Sequence, residues 1–290
     1  MNSRYLGGLY MALAASIWGG MYVVSKIMLV TMQPMALMWI RYIVALLTLG
    51  VAMLVSKQSW KIRKRDLPLV MMIGVIGYGL SIGTQFWGTK LSTAQMGAII
   101  TSATPAFMVL FGRWILGETI TVRRAISVGL ATVGVLMIVG MGGFSHADEW
   151  GGVILFVAAL TWALMSVLVK RVPKGYSQLT VTMYAIFTAT MMITPIAVGQ
   201  LVHTSPAIWL HPMLWGGILY IGVLSTAGAF FLWNKGLQMV EASSGGLYFF
   251  FQPLVGTLLG WLVLGEVVGF SFWIGAALIV ISVLLVIREA

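Results

Sequence analysis

The sequence has no cysteine and very few charged residues, and both absences limit what the protein can be. Without cysteine there is no disulfide, no thiol nucleophile and no zinc site built on cysteine ligands. Charged residues make up 8% of the 290 positions, whereas a soluble domain averages about 25%. Such a chain lacks the polar surface of a water-soluble globule, so we expect it to lie in a membrane.

Hydrophobic residues fill 60% of the chain, and its mean hydropathy is +1.00. A membrane-spanning helix needs about 20 apolar residues, and nearly the whole sequence divides into segments of that length. The predicted fold class is all-α integral membrane, with ten transmembrane helices. The predicted spans are 6–30, 34–55, 68–88, 92–115, 123–141, 151–170, 177–200, 213–234, 243–264 and 267–287.

A short pattern occurs twice in the chain, 148 residues apart. Its members are Pro105, Gly112, Leu116, Gly117 and Glu118, then Pro253, Gly260, Leu264, Gly265 and Glu266. Proline and acidic residues are scarce, with 8 and 7 occurrences, so an identical spacing between them is improbable by chance. The pattern predicts two five-helix repeats, residues 1–141 and 151–290, in one membrane domain. Duplicated membrane units are typical of transporters, with the substrate site between the halves.

The basic residues predict the orientation of the helices, because cytoplasmic loops carry an excess of Lys and Arg. An N-terminus in the cytoplasm leaves Lys90 as the basic residue of the outer loops and places the C-terminus inside as well. Five spans per repeat then give the second repeat the inverted topology. The cytoplasmic set is Arg4, Lys57, Lys61, Arg63, Lys64, Arg65, Arg123, Arg124, Lys170, Arg171, Lys174, Lys235 and Arg288.

These residues resemble the ten-helix drug/metabolite transporter superfamily, specifically its EamA-type metabolite exporters. Members often have a Trp within the first helix of each repeat, as Trp18 and Trp162 are here. They also have a Pro followed by a terminal Gly-Glu in the fourth helix, as in the repeated pattern above. The resemblance covers essentially the whole chain and implies two five-helix repeats and a transporter. It implies no particular cargo, because the superfamily carries amino acids, sugars, nucleotide derivatives and other metabolites.

Pro105 and Pro253 are predicted near the middle of their spans, where proline removes a backbone donor and kinks a helix. Freed carbonyls at membrane depth must face protein or a wet cavity. We therefore expect two bent, cavity-lining helices that act as gating hinges; the alternative is a static packing kink.

Glu118 and Glu266 are predicted at the helix ends, the first on the cytoplasmic side and the second on the outer side. Each either ends its helix as a hydrated carboxylate or has a functional role. For Glu118 the candidate partners are Arg113, Arg123 and Arg124.

Arg41 is the deepest charge, about 10 Å from the outer end of the second span at about 1.5 Å per residue. It could attract a substrate carboxylate, bind backbone carbonyls at a helix end, or extend to the interface. No acidic residue lies near the middle of any span. Neutral, zwitterionic or anionic metabolites therefore fit better than a multivalent cation.

Aromatic residues and amides within the spans suit a mostly apolar solute pocket. The predicted cavity residues are Trp18, Tyr22, Arg41, Tyr78, Gln85, Trp162, Tyr248 and Gln252. Several of these aromatics could instead form interfacial belts or face lipid. No phosphate loop, metal cluster or nucleophile–base motif is present in the sequence, so we predict no catalytic residues, no metal and no cofactor.

The sequence thus predicts a secondary transporter in the bacterial inner membrane, working by alternating access on a small-molecule substrate. Export of amino acids or related metabolites is the main hypothesis. The alternatives are uptake, transport of a nucleotide-like or lipid-linked solute, and an integral-membrane enzyme acting on lipid. The lipid bilayer is an expected partner and nucleic acid is not. Proton coupling and the oligomeric state are left open.

Overall fold

The fold is helical throughout the part of the chain that the structure describes, and no strand occurs there. The structure is a computed structural model. It describes residues 3–91, 100–101, 103–139, 146–264 and 269–287. The expected all-α class is confirmed. Glu266 lies outside the described residues, as do the side chains of Tyr22 and Lys26.

The helices follow the order of the predicted spans, and most boundaries differ by only a few residues. We number them α1 to α10 in chain order. In the first repeat they are α1 Ser3–Leu29, α2 Pro34–Val55, α3 Leu67–Leu91, α4 Thr104–Leu116 and α5 Val122–Val139. In the second they are α6 His146–Val169, α7 Gln178–Val202, α8 Pro212–Leu237, α9 at 242–264 and α10 Phe270–Ile287.

Five stretches of the described chain are long and apolar enough to cross a membrane, judged by length and composition. They lie in α2, α3, α6, α7 and α8, and α4 and α10 contain shorter apolar helices. Large apolar side chains cover the outer surface, such as Leu47 and Val202 at 67% and 76% exposure. Such a surface is unstable in water and suits lipid. The count of ten spans stays a prediction.

The helices pack mainly across the two repeats. α1 packs against α8 and α9, and α6 packs in the same way against α3 and α4. The pairs α2–α7 and α5–α10 complete this two-fold pattern. Each first helix is therefore enclosed by the third and fourth helices of the other repeat. Side chains on α1 and α6 meet in the middle of the molecule.

Glycine allows α1 to approach α9 closely. A Cβ atom added at Gly19 would lie 2.7 Å from the carbonyl oxygen of Gln252 and 2.8 Å from the nitrogen of Gly256. At Gly256 an added Cβ would lie 3.3 Å from the carbonyl oxygen of Gly19. Small residues permit such backbone contact between membrane helices. The contact places Trp18 of α1 and Gln252 of α9 at the same depth.

Both α3 and α8 contain a π-helical segment at corresponding places, Gly74–Ser81 and Tyr220–Gly228. A π segment shifts the side chains that follow it and is frequent at functional sites. The two prolines also have similar settings. Pro105 lies in the first turn of the regular helix that starts at Thr104, and Pro253 follows the 3-10 segment Gly246–Phe250. A gating role for these prolines stays a prediction.

The basic loops gather at one end of the bundle, which we call the basic end. The loop 56–66 lies there against the start of α7. The hydroxyl of Tyr176, which precedes α7, donates to Asp66 of this loop at 2.6 Å. The ends of α6 and α8 meet there too, through Lys170 and the carbonyl of Leu237 at 3.0 Å. At the opposite end, Lys90 donates to Gln33 at 2.6 Å. Thus α1 begins at the basic end and α6 ends at it.

Candidate functional site

The first helices of the two repeats meet through their tryptophans. The ring centroids of Trp18 and Trp162 are 5.2 Å apart, and the ring planes cross at 89°. Phe230 and Trp233 from α8 and Phe249 from α9 surround Trp18 at 5.7, 5.3 and 6.1 Å. Edge-to-face contacts of this kind add stability beyond apolar burial. We call these five residues the aromatic cluster.

A cavity lies beside the aromatic cluster, and both repeats contribute to its wall. The volume within which the centre of a water molecule can lie is about 20 Å³, so the cavity has room for about one water. The helices must therefore separate before a metabolite can enter. The wall consists of Trp18, Met21, Arg41, Ser81, Ile82, Gln85, Thr101, Thr104, Ala158, Ala159, Trp162, Phe230, Phe249 and Gln252.

Arg41 is a fully buried cation in this wall, with 0% of its surface exposed. Its Nε donates to the Thr226 hydroxyl at 2.8 Å, and its Nη1 lies 3.4 Å from the Met21 sulfur. The guanidinium also lies over the rings of Phe86 and Phe230, at 5.4 and 5.8 Å. Nη2 has no hydrogen-bond partner among the described residues. Arg41 therefore does not extend to the interface, and a buried cation of this kind is costly unless an anion joins it.

Three more polar atoms in the cavity wall are buried without a partner in the described part of the chain. They are the indole nitrogen of Trp162, the Gln252 Oε1 and the Thr104 hydroxyl. Buried polar groups are almost always hydrogen-bonded in proteins, so several unsatisfied groups around one cavity need an explanation. With the Nη2 group of Arg41, they offer N–H donors from two side chains, one carbonyl acceptor and one hydroxyl to a molecule bound there.

The indole nitrogens of the two tryptophans differ in their hydrogen bonding. Trp18 donates its indole N–H to the carbonyl of Ser225, 2.9 Å away and three residues before the end of the π segment of α8. The matching carbonyl in α3 is that of Tyr78, which accepts the Tyr42 hydroxyl at 2.6 Å instead. The indole nitrogen of Trp162 has no hydrogen-bond partner among the described residues.

A polar network separates the aromatic cluster from the basic end. The Asn234 Nδ2 donates to the Tyr78 hydroxyl at 2.7 Å and to the Thr182 hydroxyl at 2.9 Å. Tyr78 also stacks on Phe230, with centroids 4.6 Å apart. All three polar residues are fully buried. The network joins α3, α7 and α8 on the side of the cavity that faces the basic end, and it holds Phe230 in place.

The Glu118 carboxylate joins the two repeats at the basic end. It accepts hydrogen bonds from the backbone nitrogens of Ala242 and Ser243, at 2.8 and 3.0 Å, and from the Ser243 hydroxyl at 2.7 Å. Glu118 follows α4, whereas Ala242 begins α9. A carboxylate at a helix N-terminus satisfies unpaired N–H groups and complements the helix dipole. We call this contact the Glu118 cap.

Basic residues surround the Glu118 cap. Arg124 donates to the Ser243 hydroxyl at 2.9 Å, and this hydroxyl in turn donates to Glu118, the partner expected from the sequence. Arg124 also forms an ion pair with Glu241. Lys170 donates to the carbonyls of Leu237 and Val240. Burial lowers the pKa of the Lys170 ammonium, while the carboxylates of Glu118 and Glu241 oppose that shift. These contacts close the basic end of the bundle.

Five predicted cavity residues line the cavity in the structure: Trp18, Arg41, Gln85, Trp162 and Gln252. Tyr78 lies behind Phe230. Tyr248 lies near the basic end, where its hydroxyl packs closely against Gly8 of α1. A Cβ atom added at Gly8 would lie only 2.2 Å from that hydroxyl. The backbone of Tyr22 belongs to α1.

Sequence reasoning missed several polar residues at the site. Thr226 binds Arg41, Ser225 binds Trp18, and Asn234 anchors Tyr78. Asn234 could have been noticed, because an amide within an apolar span must find a partner. Ser225 and Thr226 gave no such signal, because their roles depend on the π segment in which they lie.

The fold and the cavity define a multi-pass helical membrane protein built from two related halves. The sequence matches the family described as the EamA-like transporter family over residues 5–140 and 149–288. The chain therefore belongs to this family, and it is a membrane transporter. The expected resemblance is confirmed, and membership agrees with the expectation that the protein is not an enzyme.

Similar proteins agree with this assignment. An uncharacterized transporter of Archaeoglobus fulgidus is 26% identical over 98% of both chains. The inner membrane transporter YedA of Escherichia coli, also uncharacterized, is 25% identical over 99% of this chain and 92% of its own. The permease-like protein YdzE of Bacillus subtilis is 68% identical over 24% of this chain and 91% of its own. A crystal structure with 19% identity covers 98% of this chain and 97% of its own, with a TM-score of 0.81, and shares the fold.

Proposed function

We propose that the protein is a secondary transporter that exports small carboxylated metabolites, most naturally amino acids with apolar side chains, by alternating access. The observation that supports this best is Arg41. It is a fully buried cation in the wall of the cavity between the repeats, and its Nη2 has no partner among the described residues.

A carboxylate matches the chemistry of the free groups. Arg41 Nη2 and the Trp162 indole are both donors, and a carboxylate accepts several hydrogen bonds at once. A carboxylate beside Arg41 would also offset the cost of the buried positive charge. The ammonium of an amino acid finds an acceptor in Gln252 Oε1 and ring faces in the aromatic cluster. Apolar rings in the same wall suit an apolar side chain.

A cargo with several phosphates fits less well. Phosphate groups need more than one cation or a set of backbone donors. Arg41 is the one basic residue among the described residues that line the cavity. The geometry thus favours a single carboxylate over a nucleotide-like solute.

The proposed transport cycle also requires the basic end to open and close. The Glu118 cap binds α4 to the start of α9, and the partly exposed ion pair of Arg124 with Glu241 lies beside it. Opening this end would break those contacts, whereas opening the other end would leave them intact. A substrate drives such a cycle only if it binds the two states with different affinity.

Transport by the purified protein tests the proposal. Proteoliposomes are loaded with an unlabelled apolar amino acid, and uptake of the labelled compound in exchange is measured against its amide. We expect exchange of the amino acid and little exchange of the amide. Equal exchange of both would contradict carboxylate recognition, and a gradient applied in either direction distinguishes export from uptake.

The two tryptophans should respond differently to removal of the indole N–H. Both substitutions shrink a buried ring of the aromatic cluster, but Trp18→Phe also loses the bond to the Ser225 carbonyl, so it should lower the free energy of unfolding by about 1 kcal/mol more than Trp162→Phe does. Trp162→Phe should weaken binding of a carboxylated cargo by about tenfold. Thermal unfolding and substrate titration of both variants measure these effects. Equal loss of stability in both variants would show that Trp162 has a packing role only.

The topology follows from the basic end, which we assign to the cytoplasm because positive loops face inward. Tags at residue 60 and at the C-terminus should both report the cytoplasm, and a tag near residue 146 should report the outside. Reporter fusions in cells measure this. An external signal at residue 60 would overturn the assignment.

A further inference from the structure

A second pocket lies at the basic end, between the start of α7 and the end of α8. Lys174, Gln178, Leu179, Phe231 and Lys235 belong to its wall. About 480 Å³ of it is open to the centre of a water molecule, compared with about 20 Å³ in the central cavity. This pocket can therefore hold a group of many atoms without a rearrangement of the helices.

An apolar face of α7 starts at the pocket and leads to the outer surface. Leu179 lines the pocket, and Met183 and Phe187 follow it at intervals of four residues, which places them on the same face of the helix. Phe187 is 50% exposed, and Met191 beyond it is 53% exposed. In a membrane protein such a surface contacts lipid chains. The pocket thus lies where a lipid on this face would place its headgroup.

The charge of the pocket is positive. The side chains of Lys174 and Lys235 are exposed on its rim, from the loop before α7 and from α8. The N-terminus of the 25-residue helix α7 opens into it, and the Ser177 side chain makes no capping hydrogen bond there. A helix N-terminus favours anions. The nearby Asp66 is already engaged, by the Tyr176 hydroxyl and by Arg65 at 3.6 Å.

The wall of the pocket also contains a buried amide, Gln178. It is only 7% exposed, it lines the pocket, and its Oε1 has no hydrogen-bond partner among the described residues. A buried carbonyl oxygen of this type needs a donor. An anion without hydroxyl or N–H groups cannot supply one, so the ligand should carry both a negative charge and a donor.

We propose that this pocket binds an anionic phospholipid whose headgroup carries free hydroxyls, such as phosphatidylglycerol. The phosphate lies between Lys174, Lys235 and the start of α7. A headgroup hydroxyl donates to Gln178 Oε1, and an acyl chain follows Leu179, Met183 and Phe187. Basic pockets between membrane helices are suited to anionic headgroups. The bound lipid would bridge α7 and α8 at the basic end, independently of what the central cavity transports.

Native mass spectrometry of the full-length protein in detergent tests this site, with phosphatidylglycerol and phosphatidylcholine as probes. The double variant Lys174→Gln/Lys235→Gln should bind phosphatidylglycerol about 10- to 30-fold more weakly, with no change for phosphatidylcholine. The matched control Lys61→Gln/Lys64→Gln removes the same charge from the loop at the same end and should retain the lipid. Equal losses in the two double variants would overturn the proposal, because they would show unspecific attraction.

A second variant tests the headgroup hydroxyl. Gln178→Leu should weaken phosphatidylglycerol binding more than binding of phosphatidylmethanol, which has the same charge but no headgroup hydroxyl. Equal weakening of both lipids would contradict the role of Gln178. Displacement of the lipid by glycerol phosphate or inorganic phosphate at equal concentration would also overturn the proposal, because the site would then be one for a free anion. Elution profile and thermal transition of each variant confirm that it is folded.

Discussion

Arg41→Gln should reduce transport of a carboxylated cargo by about 100-fold, because the loss of charge-assisted hydrogen bonds to a carboxylate costs about 3 kcal/mol. Transport of the matching amide should change little. The folded protein itself should be as stable as the parent or more stable, because the substitution removes a buried charge that has no anionic partner among the described residues. Exchange assays in proteoliposomes and thermal unfolding measure the two effects.

Lys90→Gln is the matched control for this prediction. It also removes one positive charge from the same half of the protein, but Lys90 is exposed and bonds Gln33 at the end of the bundle. We expect transport close to that of the parent. If Arg41→Gln impaired the carboxylate and the amide equally, Arg41 would have a structural role through Thr226 and Met21.

Glu118→Ala should open the basic end of the bundle. The substitution removes the acceptor of three hydrogen bonds at the start of α9 and leaves two backbone N–H groups there without their partner. Loss of a helix cap of this type costs about 2 kcal/mol, which would shift the balance between closed and open states about 30-fold. Turnover should fall, because a cycle needs both states to be populated.

Labelling of an engineered cysteine measures this shift, and the chain has no native cysteine to interfere. A cysteine at Ala159 in the cavity wall should react faster with a reagent supplied at the basic end in Glu118→Ala than in the parent. Glu241→Gln is the control, because the side chain of Glu241 is 51% exposed and its ion pair with Arg124 is screened by water. Equal labelling of Glu118→Ala and the parent would show that the Glu118 cap does not limit opening.

The sequence was informative about the helices and about the residues of one helix at a time. Apolar length predicted the order of the elements, and the repeated pattern predicted two related halves. Trp18, Trp162 and Arg41 were identified because such residues are unusual within apolar spans. These inferences depend on composition and spacing, which do not require the tertiary structure.

Contacts between the repeats could not be predicted in this way. The sequence suggested arginine partners for Glu118, whereas its carboxylate binds backbone N–H groups of α9 and reaches Arg124 through the Ser243 hydroxyl. Trp18 donates to the Ser225 carbonyl, whereas the indole nitrogen of Trp162 has no partner among the described residues. Both features depend on which backbone atoms approach each other, and the π segments of α3 and α8 have no clear signature in sequence.

The central claim is that a carboxylate binds beside Arg41 in the cavity between the repeats. Protection of the single cysteine in Ala159→Cys from a thiol reagent tests it most directly, because Ala159 lines the same cavity. We predict that an apolar amino acid slows labelling, that its amide does not, and that adding Arg41→Gln abolishes the protection. Equal protection by the amino acid and the amide, or protection that persists in Arg41→Gln, would contradict the claim.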